Sequence, residues 1–367
     1  ALPIWVTRSV GLALLFLLLS GQADAQEWKP ALPGYQYTFP RDHGQHPEHK
    51  IEWWYYTGNV ATAEGRRFGY QLTFFRIGAT PTPANASPWA LRDVWMAHFA
   101  VSDLMADKYH HADRLNRAGP GLAGAAEQRV WNEDWQVLLS ADGQMTLQAK
   151  NHGFALNLSL MPGKPVVIHG RDGISQKGAS AGNASHYYSH TRMLTQGRLT
   201  LNDQVYEVSG ESWMDHEFGT SFLEKGTQGW DWFSAQLSDG SELMIFQLRG
   251  GSAGSNAGTL ILPSGQVIPL GSDLFSLVPE EVWKSPTGAS YPIRWKIEIP
   301  TQGISLECRA AMKNQEFQAE ATPGLGYWEG AVDYTGVTKN KKITGKGYLE
   351  MTGYSGQSMS TWFGSGQ

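Results

Sequence analysis

His49 to Gly58 reads HKIEWWYYTG and sets one carboxylate against four consecutive large rings. Side chains alternate along a strand, so Glu52, Trp54 and Tyr56 share one face, and Trp53, Tyr55 and Thr57 share the other. Whichever face turns inward in a barrel carries large rings. If it is the Glu52 face, burial in an apolar cavity raises the carboxyl pKa and makes Glu52 a candidate proton donor. The alternative is a structural Glu that accepts hydrogen bonds from its neighbours.

The rest of the chain has the composition that this strand needs. Its 367 residues include 15 Trp, 14 Tyr, 14 Phe and 42 Gly. Aromatics suit a pleated, half-buried surface, and glycine supplies the positive φ of tight turns, so the expectation is an all-β protein. Hydrophobic residues make up 41% and charged residues 17%, enough for a sizeable core. Lys+Arg total 29 against Asp+Glu 34, a net charge of -5. Nucleic acid binding needs a basic face to neutralise phosphates and is not expected.

Short alternating or apolar runs recur beyond this stretch. They include Phe68 to Ile77, Trp95 to Val101, Met145 to Ala149, Phe154 to Leu160, Leu243 to Leu248 and Tyr291 to Ile299. Asp142-Gly143, Asp239-Gly240 and Ser264-Gly265 are hairpin-type turns between such runs. The two halves also resemble each other. Glu52-Trp53-Trp54-Tyr55-Tyr56 leads through a turn to an apolar strand ending in Arg76, and Trp230-Asp231-Trp232-Phe233 leads through a turn to one ending in Arg249. Each has an acid among aromatics, then a turn, then a strand ending in arginine. This predicts a duplication, with one β unit over residues 26–221 and a second over 222–367. Pro81 to Pro88 and Gly250 to Gly258 read as loops.

Residues 1–25 read as a cleavable export signal. Arg8 precedes an apolar run from Val10 to Leu19, followed by Ala23-Asp24-Ala25. The run is about half the ~20 residues that a membrane helix requires. With no Cys at the cleavage point, the expectation is a periplasmic or secreted protein without a lipid anchor or later transmembrane segment. The single cysteine, Cys308, lies in an alternating strand pattern and is expected to be a buried small residue.

Three clusters carry candidate chemistry. GESWMDHEFG, Gly210 to Gly219, puts Glu211, Trp213, Asp215 and Glu217 on one strand face. Such carboxylates repel unless they are solvated, paired or share a proton, and they suit acid–base work. GWDWFS, Gly229 to Ser234, inserts Asp231 between Trp230 and Trp232, although Asp is a poor strand former. Function is one reason; a cation such as Arg249 is another. His98, within the apolar Trp95 to Phe99, needs a buried partner, most naturally a carboxylate. Glu329, Asp333 and Glu350 are expected to close the second unit. His43, His46 and His49 sit around Gly44 and Pro47 and read as solvated loop histidines. None of these spacings matches a metal set. Gly119 to Gly124 fits GxGxxG but follows the polar HHADRLNRA, which does not read as a strand, so the dinucleotide reading is not expected.

Together HPEHKIEWWYYTGNV, GRRFGYQLTFFR, ESWMDHEFG, GWDWFSAQL and YWEGAVD resemble the AttH-like, carotenoid 1,2-hydratase-related family, over about His46 to Tyr354. The resemblance implies two tandem lipocalin-like, calycin-type antiparallel β-barrels. It implies a long hydrophobic ligand, such as a polyene, isoprenoid or lipid. It also implies either hydration or cyclisation of a C=C bond by a hydro-lyase, or a non-catalytic carrier serving an ABC transport system. Hydrating an alkene needs an acid that protonates carbon, a water that traps the cation, and rings that stabilise the charge. The candidate acids are Asp231, Asp215 and Glu52, with His98 orienting or tuning an acid. Trp54, Tyr56, Trp213, Trp230 and Trp232 are the candidate walls. No metal, nucleotide or flavin is required. An exported glycan-binding or glycan-cleaving sandwich also fits aromatics with paired acids, but the family motifs point elsewhere.

Overall fold

A computed structural model describes residues 27–356, except Ala84, Phe222, Lys225, residues 251–255 and Pro323. The export-signal pattern, the residue at which the second unit was expected to begin, and the centre of the Gly250–Gly258 loop lie outside the described residues. No helix among the described residues is long and apolar enough to cross a membrane.

The described residues form two antiparallel sheets, with two short 3-10 turns at Arg41–His43 and Pro300–Gln302 as their helical elements. The first sheet has 13 strands. Its centre is Ile51–Ala61, which pairs with Arg67–Gly78 on one side and Gln204–Gly219 on the other. From there it runs out through Asp93–Asp103 to Lys108–Arg117, and through Ala184–Leu201 and Phe154–Pro162 towards Ala123–Ala126. Its far ends meet. Arg114 Nη1 donates to the Asn132 carbonyl at 2.9 Å, and Asn116 Nδ2 donates to Asn132 Oδ1 at 2.7 Å, so the sheet curls into a near-barrel.

The second sheet has 10 strands and repeats the opening pattern. Gly229–Leu237 pairs with Glu242–Arg249 and with the last strand, Lys341–Thr352. The hairpin turns at Gly143, Gly240 and Gly265 each hold their glycine at φ 85°. A side chain at that angle meets the backbone, which is why glycine follows Asp or Ser there.

Each barrel is filled by its own side chains. Trp54, Tyr56, Tyr70, Phe74 and Met214 lie in the first core, and Phe233, Trp295, Trp328 and Leu349 in the second. Two further clusters lie between the barrels. One joins Ile51 and Met96 to Phe317 and Tyr327, and the other joins Tyr55, Tyr187 and Trp213 to Trp232, Phe246 and Tyr348. Polar bonds cross the same seam. Ser102 Oγ donates to Gln315 Oε1 at 2.7 Å, Asn59 Nδ2 to the Gly347 carbonyl at 3.0 Å, and Gln236 Nε2 to the Thr191 and Ser212 carbonyls at 2.9 Å. A bulge between His190 and Met193 turns Arg192 across the seam to Glu242, Nε to Oε1 at 2.6 Å. At Gly69 a Cβ would stand 2.7 Å from the Tyr348 hydroxyl and 2.9 Å from Ala331 Cβ, so only glycine lets the barrels approach there.

The duplicated acid–arginine pattern has a structural meaning. Glu52 Oε2 lies 3.1 Å from Arg76 Nε, and Asp231 Oδ2 lies 3.2 Å from Arg249 Nε. In each half the acid of the first strand pairs with the arginine that ends the second. Cys308 is buried in the second core.

Candidate active site

The outward faces of the two barrels line a narrow, partly open cavity of about 80 Å³. Strand alternation decides which residues reach it. From Ile51–Ala61 come Trp53 and Tyr55, the face opposite Glu52. Gln204–Gly219 supplies Asp215 and Glu217, Gly229–Leu237 supplies Trp230 and Trp232, and the last two strands of the second barrel supply Tyr327, Glu329 and Glu350. Phe75, Met96, Phe246 and Leu248 make further apolar wall. The site is therefore between the barrels. The sequence pointed instead to a barrel interior, but both interiors are packed with side chains.

Four carboxyl groups face this apolar space. Asp215 Oδ2 accepts from the Tyr187 hydroxyl at 2.8 Å, and its Oδ1 accepts from Trp213 Nε1 at 2.6 Å and from the Ser189 hydroxyl. Burial nevertheless pushes its pKa up to about 7; these three donors oppose the rise and the nearby Glu217 adds to it. Glu350 accepts from Trp230 Nε1 at 2.9 Å, and burial with the charges of Asp215 and Glu217 raises it to about 7. Glu329 accepts from Gln71 Nε2 at 2.8 Å. Burial and then Glu350, opposite it in register, hold it well above the usual carboxylate range. Glu217 is the paired member, with Lys177 Nζ 2.9 Å from Oε1 and the Ser185 hydroxyl donating to it. Lys177 also stands over the Phe246 ring, 4.1 Å from its centroid.

His98 reaches the cavity from the first barrel and meets a residue of the second. Its Nδ1 is 2.7 Å from the Tyr327 hydroxyl, while Nε2 is buried with no hydrogen-bond partner. The partner is thus a tyrosine rather than the expected carboxylate. Burial, reinforced by His111, lowers His98 to about 3 and leaves a neutral imidazole.

The remaining candidates lie elsewhere. Asp231 is buried on the far face of its strand from Trp230 and Trp232 and is held by Arg249, Gln247 and Tyr354. Glu52 points into the first barrel with Trp54 and Tyr56. Burial alone would raise its pKa, but His46, His216 and Arg76 outweigh burial and hold it well below the usual range. Glu52 is therefore an ion rather than a proton donor. Trp213 touches the site through Asp215 and through Trp232, 6.1 Å between ring centroids.

His46 and His49 are not solvated: both are buried, because the segment before the first strand folds over the barrel end. His46 Nδ1 is 2.7 Å and His216 Nε2 is 2.9 Å from Glu52 Oε1. Their nitrogens bond directly to the carboxylate, and Arg76 occupies its other oxygen. This is a hydrogen-bonded ion cluster whose three donor atoms lie within 4.8 Å of one another, close enough that the same residues could hold a metal ion.

Glu329 and Glu350 lie on the last two strands of the second barrel, in keeping with the sequence, and their side chains also line the cavity, which the sequence did not indicate. Sequence reasoning also passed over Lys177, Tyr187, Trp53 and Tyr55. The signal was available in the alternation. Strand faces opposite a filled core carried Trp53 and Tyr55, or Tyr327 and Glu329, rather than solvated charge, which marks a covered surface.

The AttH-like family model matches residues 30–354. Kievitone hydratase of Fusarium solani subsp. phaseoli is 23% identical over 228 residues, covering 58% of this chain and 61% of that enzyme's length. The match thus spans less than two thirds of that enzyme. The crystal structure of an AttH-type protein from Nitrosomonas europaea superposes with a TM-score of 0.80 at 33% identity, covering 89% of this chain and 99% of that one. Kievitone hydratase from Nectria haematococca has the same fold, with a TM-score of 0.66 at 14% identity over 89% of this chain and 96% of that one. The chain belongs to the AttH-like family, whose two-barrel fold is shared with kievitone hydratase.

Proposed function

We propose that the protein holds a long hydrophobic ligand bearing a C=C bond in the cavity between its barrels and adds water across that bond. Asp215 is the proton donor. The observation that carries this reading is a buried carboxyl poised at about 7 on the wall of an aromatic-lined, mostly apolar cavity. A general acid works best with its pKa near the working pH, where it is both protonated and acidic enough to give the proton up.

In the proposed step the Asp215 O–H proton goes to one alkene carbon and the π pair forms the new C–H bond. The cation on the other carbon lies among the faces of Trp53, Tyr55, Trp230 and Trp232, which stabilise positive charge. A water held by Glu350 attacks that carbon, and its surplus proton passes to the Glu350 carboxylate. The sum is alkene plus water giving alcohol. Cyclisation follows the same protonation when a second double bond, instead of water, reaches the cation.

Export to the periplasm or beyond, and service to an ABC transport system, are also part of the reading. Their support is the residue 1–25 pattern and the sequence resemblance.

Incubation with a prenylated phenol or an acyclic polyene tests the reaction. Wild type should add the mass of one water and Asp215→Asn should not, while native mass spectrometry shows both retaining the ligand. A ligand retained unchanged by wild type decides for a carrier. Failure to bind either probe removes the hydrophobic-ligand reading.

A further inference from the structure

Asp215 has three hydrogen-bond donors, and they differ in where they lead. Trp213 Nε1 is a donor only, so a proton path ends there. Tyr187 accepts from Trp232 Nε1 at 3.1 Å, which again ends at an indole. Ser189 is the exception. Its hydroxyl donates to Asp215 and lies 2.6 Å from His169 Nε2, and His169 Nδ1 lies 2.9 Å from the Thr259 hydroxyl of the second barrel. His169 and Thr259 line a second groove on the other side of Phe246, a residue common to both walls. All four linked residues are buried, so nothing along the chain competes with these bonds.

We propose that Thr259, His169 and Ser189 form a proton relay that recharges Asp215 from the second groove while ligand fills the cavity. The inference rests on the acid role proposed for Asp215. After Asp215 has given its proton to carbon, and Glu350 has taken one from water, the donor is ionised and shut off from solvent by the product. A proton from water in the groove enters at the Thr259 oxygen as the Thr259 O–H proton moves to His169 Nδ1. The Nε2 proton moves to Ser189, and the Ser189 proton moves to Asp215. One proton enters and one arrives. Every bond in the chain reverses direction and remains satisfied, because each link is a hydroxyl or an imidazole that both donates and accepts. Burial and the charge of Lys177 hold His169 at about 3, so it passes the proton as a neutral ring changing tautomer rather than as a cation. The exit proton leaves Glu350 on the cavity side when product departs.

Time-resolved infrared spectroscopy of the protein tests the relay without any alkene substrate. A photolysed caged acid supplies the proton, and the Asp215 carboxylic C=O band is assigned by its loss in Asp215→Asn. The cavity mouth is closed with a long-chain fatty alcohol, added to saturation as judged by native mass spectrometry. In His169→Phe and Ser189→Ala, protonation of Asp215 should slow at least tenfold against wild type. His169→Phe should leave the Asp215 midpoint near its wild-type value, which a merely structural role would not do while changing the rate. Unchanged rates in the folded variants overturn the relay, as does an Asp215 band that fails to change across neutral pH. If His169→Phe does not fold, Ser189→Ala decides. A protein that shows the relay but hydrates no alkene would lose the proposed reaction and keep this inference.

Discussion

Glu329 and Glu350 stand directly opposite each other on neighbouring strands of the second barrel, and both face the seam between the barrels. Like charges so placed cannot both ionise cheaply, and the folded protein keeps protons there that the unfolded chain would release. Glu350 moves from 4.5 to about 7 and Asp215 from 3.8 to about 7. Between those limits the native state binds more protons than the unfolded state, so these groups make stability fall as pH rises through that window. Glu350→Gln keeps the side-chain shape and an oxygen for the Trp230 indole. Its melting temperature relative to wild type should rise from about pH 5 to about pH 8. Parallel melting curves across that range would show that burial among the other acids does not raise the Glu350 carboxyl in the folded protein.

Asp215→Asn is expected to fold, because an amide oxygen still accepts from Ser189, Trp213 or Tyr187. Its hydration rate should drop by roughly 10²–10⁴-fold, the usual contribution of a general acid. In wild type the rate should fall above about 7 as the donor ionises. Steady-state turnover against pH checks both, and a rate still rising above neutrality would point to a base.

Glu52→Gln should act on stability and leave ligand binding alone. Glu52 and Arg76 are both fully buried, and removing one charge of a buried pair costs up to roughly 3–5 kcal/mol, of which Asp93, 2.9 Å from Arg76 Nη1, offsets a part. Asp231→Asn should cost less, because Arg249 is 22% exposed and keeps some water. Denaturant unfolding measures the losses, and native mass spectrometry measures ligand retention. Lost binding in well-folded Glu52→Gln or Asp231→Asn would return these acids to the site.

Gly69→Ala tests whether the seam itself makes the site. The added methyl would press on the Tyr348 hydroxyl and Ala331 Cβ, at 2.7 and 2.9 Å. Overpacking of this kind costs roughly 1–3 kcal/mol. It should also weaken ligand retention by shifting one cavity wall, although Gly69 does not line the cavity. An unchanged affinity would show that the walls tolerate the shift.

Much of the fold was legible because it follows from local rules. Alternation in Glu52–Tyr56, the Asp-Gly and Ser-Gly turns, and the repeated acid–turn–arginine pattern gave strands, hairpins and a duplication. Asp215 was legible for the same reason, as one of three carboxylates on one face of Gln204–Gly219. Lys177, which lies next to the two-residue strand Ser175–Gln176 rather than within a patterned run, was not. Asp231 and Asp215 looked alike in sequence, each an acid next to Trp. They differ because Asp231 has Arg249 beside it on its own face, whereas Asp215 faces rings and other acids.

The sequence by itself determined that this chain is built of aromatic-rich antiparallel strands in two related units, and which residues share each strand face. Only the tertiary structure decided which face is inside. Alternation is symmetric: it separates Glu52 from Trp53 without saying which of them meets a core. The choice came from the packing of one barrel against the other, which left Glu52 among His46, His216 and Arg76 and turned Trp53, Tyr55 and Asp215 towards Trp232, Glu329 and Glu350. Contacts between residues hundreds of positions apart carry no local period, so no pattern along the chain records them.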